Sequence, residues 1–145
     1  MPVESLYTPY LIEAGKDKRY IGTFDEGNVV SKEGNNPLCG DKITWHLKRL
    51  PENKIQLHFE TSGCLISRAS ASFLASLMQG KTEVEFAEYL TILKEITTAN
   101  ADTPTSEQLD STPWLSLAQI KEYPTRKKCV FLAWETLASL LESLE

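Results

Sequence analysis

Lys42-Ile43-Thr44-Trp45-His46-Leu47-Lys48-Arg49-Leu50-Pro51-Glu52-Asn53-Lys54-Ile55-Gln56-Leu57-His58-Phe59-Glu60 alternates apolar and polar side chains on both sides of a break. Ile43, Trp45 and Leu47 share one parity, as do Ile55, Leu57 and Phe59. Lys42, Thr44, His46 and Lys48, and then Lys54, Gln56, His58 and Glu60, take the other. Successive side chains of a strand point to opposite faces. Period-two patterning over 42–49 and 54–60, around Leu50-Pro51-Glu52-Asn53, therefore predicts an antiparallel hairpin with one buried face. His46 and His58 fall on the polar parity and are expected to face solvent rather than to bind a metal.

Beyond Cys64 the pattern becomes helical. Ile66 to Gln79 is rich in Ala, Ser, Leu and Met, and Gly80 is a natural stop. The small face Ala69, Ser70, Ala71 and Ser72 is expected to bring this helix close to the sheet. Thr82-Glu83-Val84-Glu85 is a capping-box signature for a second helix running to about Thr98, with Val84, Phe86, Leu90, Leu93 and Ile96 as its apolar positions. Ala99 to Pro113 is polar, without periodicity, and reads as loop. Trp114 to Tyr123 reads as a short helix. Pro124 stops it and opens the last one, with Val130, Phe131, Trp134, Leu137, Leu140, Leu141 and Leu144 as a core stripe. Upstream, residues 5–15 read as a helix capped by Thr8, opened by Pro9 and ended by Gly15. Residues 16–27 read as loop and 28–31 as a short strand, with 33–37 a turn-rich approach to Cys39. The order is helix, small antiparallel sheet, then helices. That is an α+β two-layer domain in which helices cover one sheet face.

A chain of 145 residues, 41% hydrophobic and 24% charged, fits one globular domain. The apolar runs are too short to span a bilayer, and no basic region followed by an apolar stretch opens the chain, so the cytoplasm is the expected compartment. With 15 basic against 20 acidic residues and a net charge of −5, nothing resembles the basic stripe of a nucleic-acid binder. Neither a membrane nor a nucleic acid is an expected partner. The one local basic cluster, Arg126-Lys127-Lys128, directly precedes Cys129. It reads either as a solvated helix start or as an electropositive setting that lowers the thiol pKa and receives an acidic partner or a sulfur donor.

Three cysteines are present: Cys39, Cys64 and Cys129. The count is odd and nothing marks an oxidising compartment, so metal or reactive-thiol chemistry is the better reading. Cys39 and Asp41 sit in Asn36-Pro37-Leu38-Cys39-Gly40-Asp41, Cys64 ends Ser62-Gly63-Cys64, and Cys129 ends Pro124-Thr125-Arg126-Lys127-Lys128-Cys129. Gly40 would let the backbone turn so that Cys39 and Asp41 face one point. Cys64, at a helix N-terminus, is favoured as thiolate. Three thiolates and a carboxylate complete a tetrahedral zinc set, or anchor an iron–sulfur unit with one exchangeable ligand. The thiols lie 25 and 65 positions apart, which excludes the paired spacing of a zinc ribbon or finger. The Asp would weaken a structural site and leave a displaceable position, which favours an active site over a zinc staple. A cysteine hydrolase is disfavoured by the placement of both histidines.

Asn36-Pro37-Leu38-Cys39-Gly40-Asp41, Ser62-Gly63-Cys64 followed by Ile66-Ser67-Arg68-Ala69-Ser70-Ala71-Ser72, and Arg126-Lys127-Lys128-Cys129 before Leu132-Ala133-Trp134 together resemble the U-type iron–sulfur cluster assembly family of IscU, SufU and the N-terminal part of NifU. The resemblance runs from about Asn28 to the C-terminus. It implies a single U-type domain over 1–145 with the SufE/NifU-like two-layer fold. It also implies a site made by Cys39, Asp41, Cys64 and Cys129. Lys128 stands where IscU proteins carry His, the Leu-Pro-Pro-Val-Lys segment is absent, and the stretch from Cys64 to Cys129 is long. These three departures resemble SufU. The usual Asn-Pro-Arg-Asn stretch is missing around residues 16–22. The SufU branch implies zinc as cofactor and a pyridoxal-phosphate cysteine desulfurase as partner. It further implies Cys39 as sulfur acceptor, Arg126 as a residue that steers or stabilises the freed thiolate, and downstream iron–sulfur assembly proteins as recipients. The alternative within the family is a scaffold on which a transient [2Fe–2S] cluster is built and handed on.

Overall fold

Three strands, β1 (Val29–Asn36), β2 (Asp41–Arg49) and β3 (Ile55–Ser62), form one antiparallel sheet in that order. The computed structural model describes residues 9–24, 27–37, 40–98, 114, 117, 118, 120 and 123–144. Helix α1 (Pro9–Lys16) precedes the sheet, and α2 (Leu65–Met78), α3 (Glu83–Ile96) and α4 (Lys127–Ser143) follow it. The fold is the expected α+β arrangement.

The β2–β3 hairpin has the expected parity. Trp45 pairs with Phe59 and Leu47 with Leu57, and all four are buried. Pro51–Asn53 makes a single 3₁₀ turn between the strands, with Glu52 and Asn53 both at positive φ. On the opposite face His46 and His58 are half-buried rather than open to solvent. His46 Nδ1 lies 2.7 Å from Ser31 Oγ and its Nε2 lies 2.8 Å from Glu60 Oε1, while the His58 ring stacks on Phe24 at 4.1 Å. Phe24 belongs to a segment that also lines β3: Phe59 donates its amide to the Tyr20 carbonyl and accepts from the Gly22 amide.

Strand β1 corrects the expected turn at 33–37. It continues to Asn36, with Gly34 opposite Ile43, Asn35 opposite Lys42 and Asn36 opposite Asp41. Glycine and asparagine are poor strand formers, but sheet pairing overrides propensity. Gly34 is also where α4 crosses closely, since a Cβ there would collide with Thr136. Helix α1 likewise passes through Gly15 to end at Lys16. Gly15 is buried against Leu65 of α2. Thr8 and residues 5–7 lie outside the described residues, as do the loop expected at 99–113 and most of the helix expected at 114–123. Trp114, Leu117 and Ala118 are helical and buried.

Helix α2 starts one residue before the expected point. Its small face of Ala69, Ser70, Ala71 and Ser72 is buried, and the helix meets α1 and α4 as well as the sheet. Helix α3 carries the predicted capping box on Thr82 and Glu85 and ends two residues early, at Ile96. Pro124–Arg126 forms a 3₁₀ turn, so the last helix begins at Lys127 rather than at Pro124. Its stripe is the core: Trp134, fully buried, lies 6.0 Å from Trp114 and 6.1 Å from Phe86, ring centre to ring centre. Among the described residues, no helix is long and apolar enough to cross a membrane.

Candidate metal centre

Asp41 opens β2, Cys64 precedes α2 and Cys129 lies in the first turn of α4. One ligand atom from each lies within 4.8 Å of the other two, and among the described residues this is the one such group. Parity places Asp41 with Ile43, Trp45 and Leu47 on the helix-covered face, so its carboxylate points toward the helices. Cys39 lies outside the described residues. The residue after it, Gly40, has φ +72° and donates its amide to the Asn36 carbonyl at 2.9 Å.

Local bonding fixes the cluster. The Cys64 amide donates to Asp41 Oδ1 at 3.0 Å, and Cys64 Sγ stands 4.0 Å from Oδ2. Cys64 is the N-cap of α2, and its sulfur accepts the Ser67 amide at 3.4 Å. That amide is one of the donors a helix N-terminus leaves without an internal partner. Gly63, at φ +154°, lies so close that a Cβ would run into the Asp41 carboxylate. Gly63 and Ser67 stand within the sequence motifs, which gave neither of them a role at the site. Spacing gives a signal for Ser67 alone, three residues after an N-cap cysteine.

Burial sets the electrostatics. Asp41 is 2% exposed and Cys129 fully buried, while Cys64 is half-buried. Desolvation pushes the Cys129 thiol well above its ordinary range, and the charges and hydrogen bonds of Cys64 and Asp41 add to the rise. Of the two readings of the basic run, this goes against the thiol-activating setting and favours the solvated helix start. Lys128 is exposed, and Lys127 Nζ lies over the Phe131 ring at 5.7 Å. Neither offsets the burial of the sulfur beside them. Arg126 sits at the end of the 3₁₀ turn, its amide donating to the Tyr123 carbonyl at 2.8 Å.

Two sulfurs and a carboxylate gathered in a largely buried cluster are a mixed soft and hard donor set, which suits zinc or iron. A surface cleft of about 260 Å³, lined by Asn35, Asn36, Pro37, Lys128, Leu132 and Glu135, opens beside the β1–β2 connection. A larger cleft of about 410 Å³ between α1 and α2 is lined by none of Asp41, Cys64 and Cys129.

The family model for the NifU-like N-terminal domain matches residues 6–130, and the chain belongs to that family. It is 32% identical over 145 residues to an iron–sulfur cluster assembly scaffold protein IscU of Thermotoga maritima, covering 99% of this chain and 98% of the relative. It is 30% identical over 135 residues to the zinc-dependent sulfurtransferase SufU of Bacillus subtilis, covering 93% of this chain and 88% of the relative. Among solved structures it superposes on a chain from Fervidobacterium islandicum, described as an iron–sulfur cluster assembly scaffold protein for the SUF system. That match has a TM-score of 0.75 and 28% identity over 94% of this chain and 97% of that one. A NifU-like N-terminal protein of Brucella abortus, at TM-score 0.79 and 18% identity over 97% and 94% of the two chains, shares the fold.

Proposed function

We propose that this chain is a SufU-type iron–sulfur cluster assembly protein, one domain over 1–145. It takes persulfide sulfur from a pyridoxal-phosphate cysteine desulfurase at a zinc site made by Cys39, Asp41, Cys64 and Cys129. The observation that carries the reading is the meeting of Asp41, Cys64 and Cys129 ligand atoms within 4.8 Å. The donor chemistry fits zinc. When bound there, the ion would hold the thiols as thiolates and leave the hard carboxylate as the readily displaced ligand. Cys64 and Asp41 hold each other in place through the Cys64 amide. Cys129 is buried and reluctant to ionise alone, which makes it a ligand rather than a nucleophile. Cys39 is the acceptor. Its thiolate attacks the outer sulfur of the donor persulfide, a new S–S bond forms at Cys39, and the donor's S–S bond breaks. The donor cysteine leaves as thiolate, with no net oxidation. Arg126, three residues before Cys129, steers the freed thiolate. If the transfer is catalytic, the chain is a zinc-dependent sulfurtransferase, and downstream iron–sulfur assembly proteins receive the sulfur.

The second reading, favoured by the 32% identity to the Thermotoga maritima scaffold, has the same residues carry a [2Fe–2S] cluster as cargo. Metal analysis with an absorbance spectrum separates the two: a colourless protein with one zinc supports transfer, and a brown, sulfide-containing one supports the scaffold. Desulfurase turnover with and without the chain, repeated with Cys39→Ala, tests the transfer reading directly. Stimulation by the intact chain that is lost in the variant is expected, and no stimulation by the intact chain removes it.

A further inference from the structure

The first half of α4 is held by two buried hydrogen-bond tethers, each running to a different one of the elements that carry the other ligands. From β2, Trp45 Nε1 donates to the Ala133 carbonyl at 2.8 Å. From α2, Ser70 Oγ donates to the Val130 carbonyl at 2.7 Å. Trp45 lies four residues beyond Asp41 on the same sheet face, and Ser70 lies six residues beyond Cys64. The two carbonyls belong to the residue after Cys129 and to the one three positions further on. We propose that Trp45 and Ser70 are positioning residues for the metal centre, setting the depth at which Cys129 stands against Asp41 and Cys64. The inference rests on the reading of these three residues as ligands.

The direction of each bond follows from the groups present. Indole nitrogen is a donor only, so Trp45 can serve nothing but an acceptor. The Ser70 hydroxyl accepts the Trp134 indole N–H at 3.0 Å, which leaves its own proton for Val130. Trp134, on the same helix as Val130, thereby closes a ring between α2 and α4. Trp45, Ser70 and Trp134 are all fully buried, so no water can substitute for a lost partner. The accepting carbonyls are interior to α4, and each uses its second lone pair while the first keeps the helical bond.

Core filling alone does not account for the placement. Among the described residues, side-chain hydrogen bonds from other elements onto the α4 backbone reach it at Val130 and Ala133, both within four residues of Cys129. The C-terminal half is held by Leu137, Leu140 and Leu141, which are buried apolar contacts. Apolar contact is non-directional and lets a helix slide, whereas a hydrogen bond fixes register. Zinc–sulfur bonds of about 2.3 Å tolerate little sliding, and a site only about 1 Å too loose fails for want of support.

The test compares Trp45→Phe, which keeps a ring and removes the N–H, and Ser70→Ala with Leu140→Ala, a cavity at the untethered end of α4. Zinc affinity is measured by competition with a chromophoric chelator, the site is read by the cobalt(II) absorption spectrum, and metal-free stability by thermal melting. Each tether variant is expected to bind zinc about 10-fold or more weakly, the range for residues that orient ligands, with an altered cobalt spectrum. Leu140→Ala should melt at least as early and yet bind like the wild type. Wild-type affinity in both tether variants overturns the proposal. So does an equal affinity loss in Leu140→Ala, because the effect would then be stability alone. If Trp45→Phe does not fold, Ser70→Ala decides by itself. A wild-type chain that binds neither zinc nor cobalt removes the ligand reading itself, and this inference with it.

Discussion

The backbone amide of Cys64 donates to Asp41 Oδ1 at 3.0 Å, so the residue that supplies one sulfur of the cluster also aims its carboxylate. Asp41 opens β2 and Cys64 lies two residues past the end of the neighbouring β3, where Lys42 pairs with Ser62, so the carboxylate bridges the turn from β3 into α2. Asp41 thus has a bond to lose whether or not metal is bound.

Asp41→Ala should therefore cost stability as well as metal. Leaving the Cys64 amide without its acceptor costs about 1–3 kcal/mol. Asp41→Asn keeps an acceptor oxygen and should recover most of that loss while still weakening zinc, because it removes the ligand charge. Urea unfolding of the metal-free proteins reads the first effect and chelator competition the second. Equal unfolding midpoints for wild type and Asp41→Ala would show that the bond does not hold the junction.

Gly63→Ala strikes the same spot from the backbone side. The glycine sits at φ +154°, where other residues are strained, and its Cβ would overlap the Asp41 carboxylate. A loss of about 1–3 kcal/mol is expected from backbone strain alone, together with weaker metal binding, because the carboxylate must move. Far-UV circular dichroism should show the sheet and helices intact. A variant that melts and binds as the wild type does would mean the carboxylate is free to shift.

The parts of this molecule governed by local rules were legible. Alternation around Pro51 gave the β2–β3 hairpin, and Thr82 and Glu85 gave the start of α3, because side-chain period and capping act over a few residues. What was missed depends on distant partners. Glu33 to Asn36 look like a turn in isolation and become strand because β2 supplies the pairing and Thr136 of α4 covers Gly34. His46 and His58 sit on the predicted parity, yet Glu60, Ser31 and Phe24 from other segments half-bury them. The residue types of the site were visible in Asp41, Cys64 and Cys129, and their meeting was expected from the family resemblance, not from spacing, which says nothing of how α4 lies on α2. The basic run before Cys129 left two readings open for the same reason, and burial of the sulfur itself decided between them.

Alkaline pH should destabilise the metal-free chain through Cys129. Burial raises its folded pKa above the unfolded value of about 8.5. The folded state therefore keeps its proton where the unfolded state has lost it. The contribution to stability is complete below about pH 8.5 and declines as pH rises above it, by at most about 1.4 kcal/mol per unit for one group. Melting curves with chelator present from pH 7 to 10 should show this decline, and Cys129→Ala should flatten it. Metal binding runs the opposite way, because the thiol must give up its proton, so zinc affinity should rise over the same range. An identical pH dependence in Cys129→Ala would assign the decline to other groups.

Removing the metal should leave the chain folded. Trp45, Leu57, Phe59, Leu74, Met78, Leu93 and Trp134 are buried in one continuous core that spans the sheet and helices α2 to α4 and extends well beyond Cys129, which belongs to it. A core of that extent sustains a domain of this size without a staple, unlike the small folds that are unfolded without zinc. Chelation is therefore expected to lower the melting temperature, by an amount that grows with the zinc concentration of the reference sample, while the transition stays cooperative and the far-UV spectrum stays near native. The junction at Cys64 should loosen first, because α2 loses an oriented cap there, and hydrogen exchange at Ser67 and Arg68 should report it. Loss of all cooperative unfolding on chelation would instead make the centre a structural staple and take away the reason for a displaceable aspartate.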